Sequence, residues 1–199
     1  MLKIAITGGI AAGKTLASKT LESLGAYIID ADIVSREVTA STEGKKRIMQ
    51  AFGEEFFDAN GELDRRKFRE YVFADKERVK LLNSLIHPLI KQSIIDKLNS
   101  LQDLPVVFVV IPLLIEIGMV EVFDRIWTIS SEPETRIKRL IRRDNISEQQ
   151  AYNILSNQAS EKEREKIADV IIRNDGGEQE FVEQIKTHYR NLLRELGLT

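Results

Sequence analysis

Residues 8 to 15 read Gly8-Gly9-Ile10-Ala11-Ala12-Gly13-Lys14-Thr15, which satisfies the phosphate-binding pattern G-x-x-x-x-G-K-[ST]. An apolar run at residues 2–6 precedes this loop and has the character of a buried strand. A helical pattern follows the loop and meets Gly25, where a helix is expected to stop. Strand, loop and helix in this order are the context that the motif requires. The sequence therefore predicts a nucleoside triphosphate site.

Each part of this loop has a chemical use. Gly8 and Gly13 let the backbone wrap a phosphate where a Cβ would intrude. The amides from Ile10 to Lys14 are expected to point inward as donors, helped by the dipole of the following helix. Lys14 can reach the β- and γ-phosphates of ATP, and the Thr15 hydroxyl can ligate Mg²⁺. We expect ATP and Mg²⁺ to bind here, through Gly8, Gly9, Ile10, Ala11, Ala12, Gly13, Lys14 and Thr15. The alternative is an ordinary glycine turn with a solvated lysine.

The composition narrows the class of protein. The chain has 199 residues, of which 43% are hydrophobic, so we expect one α/β domain over residues 1–199. The net charge of −2 offers no basic field for nucleic acid. Cysteine is absent from the sequence, which excludes disulfides and fits a reducing compartment. The longest apolar run, residues 106–115, is too short to cross a membrane, and the first predicted strand leaves no room for a signal peptide. We expect a cytoplasmic monomer or weak homo-oligomer that binds neither nucleic acid nor membrane.

Four further segments look like buried strands, at residues 26–29, 106–110, 126–129 and 170–172. Helical patterns separate them. This alternation predicts an α/β fold with a doubly wound parallel five-stranded sheet, whose ligands lie at the carboxyl ends of the strands. Two intervals are too long for simple crossovers, and we predict a helical insertion at 33–100 and a second helical excursion at 131–166.

Two candidate capping boxes begin helices in the second excursion. Ser131 to Glu134 fits S-x-x-E, and Ser147 to Gln150 fits S-x-x-Q. In such a box the first hydroxyl and the fourth side chain each satisfy an unpaired backbone amide. The sequence therefore predicts helices that begin directly after Ser131 and Ser147.

Asp30-Ala31-Asp32 stands at the end of the second predicted strand. Phosphoryl transfer to a hydroxyl needs a carboxylate near the acceptor oxygen, which orients the oxygen and takes its proton. We predict that Asp32 has this role and faces the phosphate loop across one cleft, while Asp30 supports it or holds a metal-bound water. The alternative is that Asp32 caps a helix that starts near Ile33.

Three arginines, Arg136, Arg139 and Arg143, are spaced so that they share one face of a helix. Planar guanidiniums suit the charge that spreads over a transferring phosphoryl group. We predict a lid that closes over the triphosphate. A solvated basic face is one alternative. A nucleic-acid patch is the other, although flanking acids and the lack of interleaved aromatic residues argue against it.

The end of the third predicted strand carries no acidic residue of the kind that holds Mg²⁺ in motor and switch ATPases. Pro112 stands there, with Glu116 two residues beyond Leu114. This pattern argues against those classes. His87 is a lone histidine after an apolar stretch, and its own surroundings assign it no chemistry.

Several motifs together resemble the dephospho-CoA kinase family. They are T-G-G-I-x-x-G-K-[ST] at 7–15, D-A-D-x-x-x-R at 30–36, H-P-x-I at 87–90, P-L-L-x-E at 112–116 and R-L-x-x-R-D at 139–144. The resemblance covers nearly the whole chain. The chain departs from the family pattern at Ile154, where an arginine is usual, and at Ala11, where a glycine is usual.

This resemblance implies a substrate that the residues alone do not reveal. ATP would donate its γ-phosphate to the 3′-hydroxyl of the ribose of dephospho-CoA, with Mg²⁺ required. Residues 33–100 would hold the acceptor, and residues 131–166 would form the lid. Asp32, Lys14 and Arg139 would be catalytic. Arg143 and Asn174 would join the nucleotide-binding loop, Asn174 at the adenine, and the acceptor would be bound by Asp30, Asp32, Arg36 and His87.

Two alternatives stay open at this point. Another P-loop kinase, acting on a nucleoside, a nucleotide or a small alcohol, would share Lys14, Thr15 and the lid arginines. A non-catalytic ATP-binding module is conceivable because of Ile154, although the intact Lys14, Thr15 and Asp32 argue against it.

Overall fold

A computed structural model describes residues 1–198, which form two compact units. The first unit comprises residues 1–30 and 100–198, and the second comprises Ala31–Asn99. The chain thus leaves the first unit directly after its second strand and returns to it before the third.

The first unit is built on a parallel sheet. Within the described residues its strands are β1 Leu2–Thr7, β2 Tyr27–Asp30, β3 Val106–Val110, β4 Arg125–Ser130 and β5 Val170–Arg173, in the order β2-β3-β1-β4-β5. Every pairing is parallel, so all the carboxyl ends lie along one edge. The predicted α/β fold with a five-stranded parallel sheet is confirmed. Strand β2 begins one residue later than predicted.

Helices occupy most of the remaining chain. Their bounds are α1 Lys14–Ser23, α2 Ala31–Ala40, α3 Thr42–Phe52, α4 Arg65–Phe73, α5 Lys76–Asn99, α6 Pro133–Asp144, α7 Glu148–Ser156, α8 Glu161–Lys166 and α9 Glu178–Glu195. Single 3₁₀ turns lie at Glu54–Phe56 and Val120–Val122. None of the described helices is long and apolar enough to cross a membrane.

The core of the first unit lies around its central strand. In β1 the side chains of Ile4 and Ile6 are fully buried, and all five residues of β3 are buried. Helices α1 and α9 cover one face with Leu21 and Phe181. Burial of side chains of this size contributes about 1.5–3 kcal/mol each, so β1 and β3 together anchor the centre of the sheet.

The starts of α6 and α7 test the two predicted capping boxes. At α7 the box is confirmed, because the side chains of Ser147 and Gln150 each bond the other residue's backbone amide. The box at Ser131 is wrong. Glu132 precedes α6, Pro133 takes the first turn, where a missing N–H costs nothing, and the Ser131 hydroxyl donates instead to Asp175 Oδ1 at 2.8 Å.

The second unit is helical and has its own apolar centre. Helices α2, α3 and α4 pack against the long helix α5, with Ile48, Val72 and Ile94 buried. The ring of Phe68 packs edge-on against the rings of Phe52 and Phe56, with centroids 5.2 and 5.4 Å apart. These helices fill the interval that the sequence leaves between β2 and β3.

Candidate functional site

The phosphate-binding loop connects the buried central strand β1 to the first turn of α1. Within it, the ammonium of Lys14 donates hydrogen bonds of 2.7 Å to the carbonyl of Gly8 and of 2.9 Å to that of Gly9. The ammonium is therefore held by two carbonyls of the loop. It does not extend into solvent as that of an ordinary surface lysine would.

Two glycines of the loop are required by its geometry. Gly8 has a φ of 147°, and a Cβ there would lie 2.3 Å from the carbonyl oxygen of Ile129. Gly13 has a φ of 112°, and a Cβ there would lie 2.2 Å from Nδ2 of Asn174. Ala11 has a φ of 60°, in the left-handed region that strains an L-residue. The left-handed backbone of Ala11 therefore destabilises the loop locally, and the rest of the structure maintains it.

Two amides of the loop are used within the protein. The Ile10 amide donates to Oε1 of Gln158 at 2.9 Å, and the Ala12 amide donates to the Gly9 carbonyl at 3.2 Å. The expectation that all amides from Ile10 to Lys14 point at phosphate is corrected for these two. The Ile10 amide is bonded to a side chain from 148 residues away, and the Ala12 amide closes a turn within the loop itself.

A cavity of about 190 Å³ adjoins the loop at the start of α1. Asn174 closes one side of it, donating from Nδ2 to the Ala12 carbonyl at 2.8 Å. Arg139 donates from Nη2 to the carbonyl of Asn174 at 2.8 Å and to its Oδ1 at 3.3 Å. The structure thus brings Arg139 and Asn174 together at the loop. The cavity is lined by Ala11, Gly13, Leu16, Arg139, Asn174, Gly176 and Glu178.

The three arginines of α6 have different surroundings. Arg136 is buried, with 6% of its surface exposed. Arg139 lines the cavity, whereas Arg143 is exposed and paired with Asp144 at 2.7 Å. They share one helix stripe, and their burial decreases along it, from the buried Arg136 through the half-buried Arg139 to the exposed Arg143. The assignment of Arg143 to the nucleotide stays a prediction.

Sequence reasoning missed a buried ionic cluster beside the loop. Glu161 lies 3.5 Å from Arg136 and 3.6 Å from Arg164, and Arg164 is 1% exposed. Glu116 lies 3.9 Å from Arg164 and accepts the amide of Ala159 at 2.9 Å. Burial lowers the pKa of Arg164, and the nearby carboxylates oppose that shift. The alternating charges of α8 indicate a solvated helix, so no local signal marks its inward residues.

Ile154, which departs from the family pattern, has an apolar role. It packs with Ile10 and Ala11 of the loop against a small cluster of Ile137, Leu140 and Ala151. The apolar side chain therefore joins α7 to the phosphate loop through packing, where an arginine would bring a charge.

Asp30 and Asp32 stand at the junction between the two units. Asp30 ends β2, in register with Val110 at the carboxyl edge of the sheet. Helix α2 begins at Ala31, so Asp32 lies in its first turn and is exposed. The helix starts two residues earlier than the capping alternative for Asp32 requires, because strand and helix follow each other without a loop.

The other predicted acceptor residues lie in the second unit. Arg36 is exposed on α2, and His87 is half-buried within α5, where burial lowers the pKa of its imidazole. Their role in binding the acceptor stays a prediction.

The donor set of the loop fits a magnesium ion. The described residues contain no cluster of three or more acidic, histidine or cysteine side chains that could hold a metal. Mg²⁺ commonly takes one or two protein oxygens and completes its shell with phosphate oxygens and water. Thr15, exposed in the first turn of α1, offers such an oxygen.

Known kinases are similar to this chain in sequence and in fold. A dephospho-CoA kinase from Vibrio parahaemolyticus is 40% identical over 186 residues, which cover 92% of this chain and 91% of that protein. The solved structure of a dephospho-CoA kinase from Campylobacter jejuni has a TM-score of 0.76 at 27% identity, covering 97% of this chain and 98% of that one. A shikimate kinase from Acinetobacter baumannii, with a TM-score of 0.52 at 17% identity over 98% and 94% of the two chains, shares the fold alone.

A sequence model of the dephospho-CoA kinase family matches residues 2–180, which include the strand, the phosphate loop, the Asp30–Asp32 junction and Asn174. With a match of this extent, and a 40% identical relative over most of its length, the chain belongs to the dephospho-CoA kinase family.

Proposed function

We propose that the protein transfers the γ-phosphate of ATP to the 3′-hydroxyl of the ribose of dephospho-CoA, giving CoA and ADP. The observation that carries this proposal is the family match, which includes both the phosphate loop and the helical unit 31–99. The ammonium of Lys14, held at the loop, offers a cation for the phosphates, and the adjoining cavity offers space for the nucleotide.

At the nucleotide end, we assign Lys14 and Arg139 to the phosphates. Charge spreads over the equatorial oxygens of the transferring group, and fixed cations near it lower the barrier. Lys14 is already held by two loop carbonyls, so little reorganisation accompanies binding. Asn174 lines the cavity and is assigned to the adenine, with Arg143 as a further nucleotide contact on α6.

At the acceptor end, we assign Asp32 as general base. The hydroxyl oxygen attacks the γ-phosphorus, its proton passes to the Asp32 carboxylate, and the bond to the β-phosphate oxygen breaks to release ADP. A positioned base of this kind contributes about 10²–10⁴-fold in rate. Asp30, Arg36 and His87 are assigned to binding the acceptor, together with the rest of the helical insertion at 33–100.

We assign Mg²⁺ to the Thr15 hydroxyl and the nucleotide. When bound, the ion neutralises charge on the β- and γ-phosphates. Residues 131–166, which contain α6, α7 and α8, are proposed to form the lid over the triphosphate. We further propose that the enzyme works in the cytoplasm as a monomer or weak homo-oligomer.

A coupled assay of ADP release tests the proposal. The purified protein is given ATP and Mg²⁺ with either dephospho-CoA or a set of nucleosides, nucleoside monophosphates and shikimate. We expect ADP release with dephospho-CoA, and a product whose new phosphate is on the 3′-oxygen by ³¹P NMR. Release with a nucleoside monophosphate but none with dephospho-CoA would overturn the assignment.

A single-turnover experiment distinguishes an enzyme from a non-catalytic ATP-binding module. Protein in excess over radiolabelled ATP should transfer the label to dephospho-CoA. Tight ATP binding with no transfer would favour the binding module.

A further inference from the structure

One peptide unit of the phosphate loop, the one joining Gly9 to Ile10, is held at both polar ends. Its carbonyl accepts a hydrogen bond of 2.9 Å from Lys14 Nζ. Its amide donates a bond of 2.9 Å to Oε1 of Gln158. Rotation of this peptide would break both bonds. The side chain of Gln158 therefore also fixes one of the two carbonyls that hold the Lys14 ammonium.

The guanidinium of Arg136 lies against Gly9 from another direction. A Cβ built on Gly9 would come within 1.7 Å of Nη1 of Arg136, so the guanidinium fills the volume that a side chain would need. Gly9 is not among the residues with positive φ. The position demands glycine because of Arg136, and not because of its backbone conformation.

Arg136 is kept in place by counter-charge. Its Nη2 lies 3.5 Å from Glu161, which also lies 3.6 Å from the buried Arg164. Removing one partner from such a buried group leaves an uncompensated charge, which is strongly unfavourable. Gln158 lies in the turn before α8, and Glu161 is the first residue of that helix, so one short segment supplies both the hydrogen bond and the counter-charge.

We propose that Gln158 and Arg136 are positioning residues, which together fix the Gly9–Ile10 peptide so that its carbonyl holds the Lys14 ammonium where the phosphates of ATP bind. This inference rests on the proposed phosphoryl transfer. The two residues set the fraction of molecules whose loop is ready to bind. A lower fraction raises the apparent dissociation constant for ATP without changing the bound complex. Their loss therefore raises the KM for ATP and leaves kcat unchanged.

The first test replaces the acceptor at position 158. We expect Gln158→Leu to raise the KM for ATP about three- to tenfold, the range for one lost hydrogen bond, with kcat within about twofold of wild type. Gln158→Glu keeps an acceptor oxygen and should restore KM. The matched control is Gln102→Leu, at an exposed turn before β3 and outside both the lid and the helical insertion, which should change neither constant. A fall in kcat at unchanged KM, or equal damage in the Leu and Glu variants, would overturn the role of Gln158.

The second test couples Gly9 to Arg136. Gly9→Ala should raise the KM for ATP because its methyl group displaces the guanidinium. Adding Arg136→Ala to Gly9→Ala removes a guanidinium that the methyl group has already displaced, so the KM of the double variant should be no higher than that of the worse single variant. The effect of Lys138→Ala, an exposed cation on the same helix, should instead simply add to that of Gly9→Ala. A double variant whose loss equals the sum of the two single losses contradicts the inference, and Arg136→Gln repeats the test if the alanine variants fold poorly.

Calorimetric titration with ATP separates this inference from the proposed function. It measures binding without turnover. Wild-type protein that binds ATP but transfers no phosphate would end the proposed function, while the variants would still report on the Gly9–Ile10 peptide. Unchanged ATP affinity in Gln158→Leu and in Arg136→Gln would end the inference while leaving the function intact.

Discussion

The side-chain amide of Asn174 donates a hydrogen bond of 2.8 Å to the carbonyl of Ala12, joining the end of β5 to the phosphate loop across 162 residues of sequence. Both groups are buried. A buried carbonyl that loses its donor costs about 1–3 kcal/mol, so the bond contributes both to the stability of the fold and to the shape of the loop.

Asn174→Ala should therefore destabilise the protein by about 1–3 kcal/mol and weaken ATP binding. Urea unfolding measures the first effect and calorimetric titration the second. The control is Asn157→Ala, because Asn157 makes a bond of 2.9 Å from the same side-chain group to a carbonyl four residues away, at an exposed site. Equal effects of the two substitutions would contradict the special role of Asn174.

Asp32→Asn tests the general base. We expect ATP affinity within a few-fold of wild type and turnover lower by about 10²–10⁴, because the amide cannot take the hydroxyl proton. Steady-state assays with dephospho-CoA measure the turnover. Glu37→Gln, an exposed carboxylate on the same helix paired with Lys97, is the control. An Asp32→Asn variant with near-full turnover removes Asp32 from the role.

Ala11→Gly tests strain in the loop. An alanine at a φ of 60° costs about 1–2 kcal/mol, which glycine avoids, while the greater freedom of glycine in the unfolded chain offsets part of the gain. We expect a net stabilisation of about 0.5–1 kcal/mol, or a rise in Tm of about 1–4 °C for a chain of this size.

Ala12→Gly is the matched control for that prediction. Ala12 is fully buried and has no positive φ, so losing its methyl should destabilise the protein by about 1 kcal/mol. If Ala11→Gly lowers the Tm as Ala12→Gly does, the strain at Ala11 is not significant.

The two histidines make stability depend on pH. Burial lowers the pKa of His87 and of His188, whose ring packs on Trp127. The unfolded chain therefore binds protons more readily than the folded one below about pH 6.5. Stability should be unaffected by these groups above that pH and should fall as the pH decreases from 6.5 toward 5.

The measurement is the urea midpoint at pH 7.5 and at pH 5.5. His188→Gln should reduce the difference between the two midpoints, and His87→Gln should reduce it further. Carboxylates titrate mostly below this range, so they leave the comparison clear. A midpoint difference unchanged by both substitutions would show that the histidines do not cause it.

The fold is predictable from the sequence wherever a local pattern determines the structure. The strand Val106–Val110 is predicted with its exact bounds, because a continuous β-branched run favours a strand buried on both faces. The box at Ser147 formed as predicted. The one at Ser131 did not, because β4 continues to Ser130 and the following proline takes the first helical turn. Local patterns cannot reveal that a distant residue competes for the same hydroxyl.

The site was less predictable than the fold. The loop and Lys14 are marked by the phosphate-binding motif and Asn174 by the family resemblance, and the structure brings them together. The burial of Arg136 and Arg164 had no such signal, because charged residues at helical spacing look the same whether they face solvent or a buried carboxylate. Only the tertiary arrangement of α6 and α8 around Gly9 distinguishes the two cases.

The phosphate loop directly follows β1, which is paired with β3 on one side and with β4 on the other. A strand paired on both sides is expected to open only when the whole sheet unfolds, so the loop stays attached to a part of the protein that opens late. Binding of ATP to the loop should therefore raise the free energy of global unfolding. The increase is about 2.7 kcal/mol when ATP is present at a hundred times its dissociation constant. In a cell, such coupling would make the lifetime of the polypeptide follow the supply of its own phosphate donor.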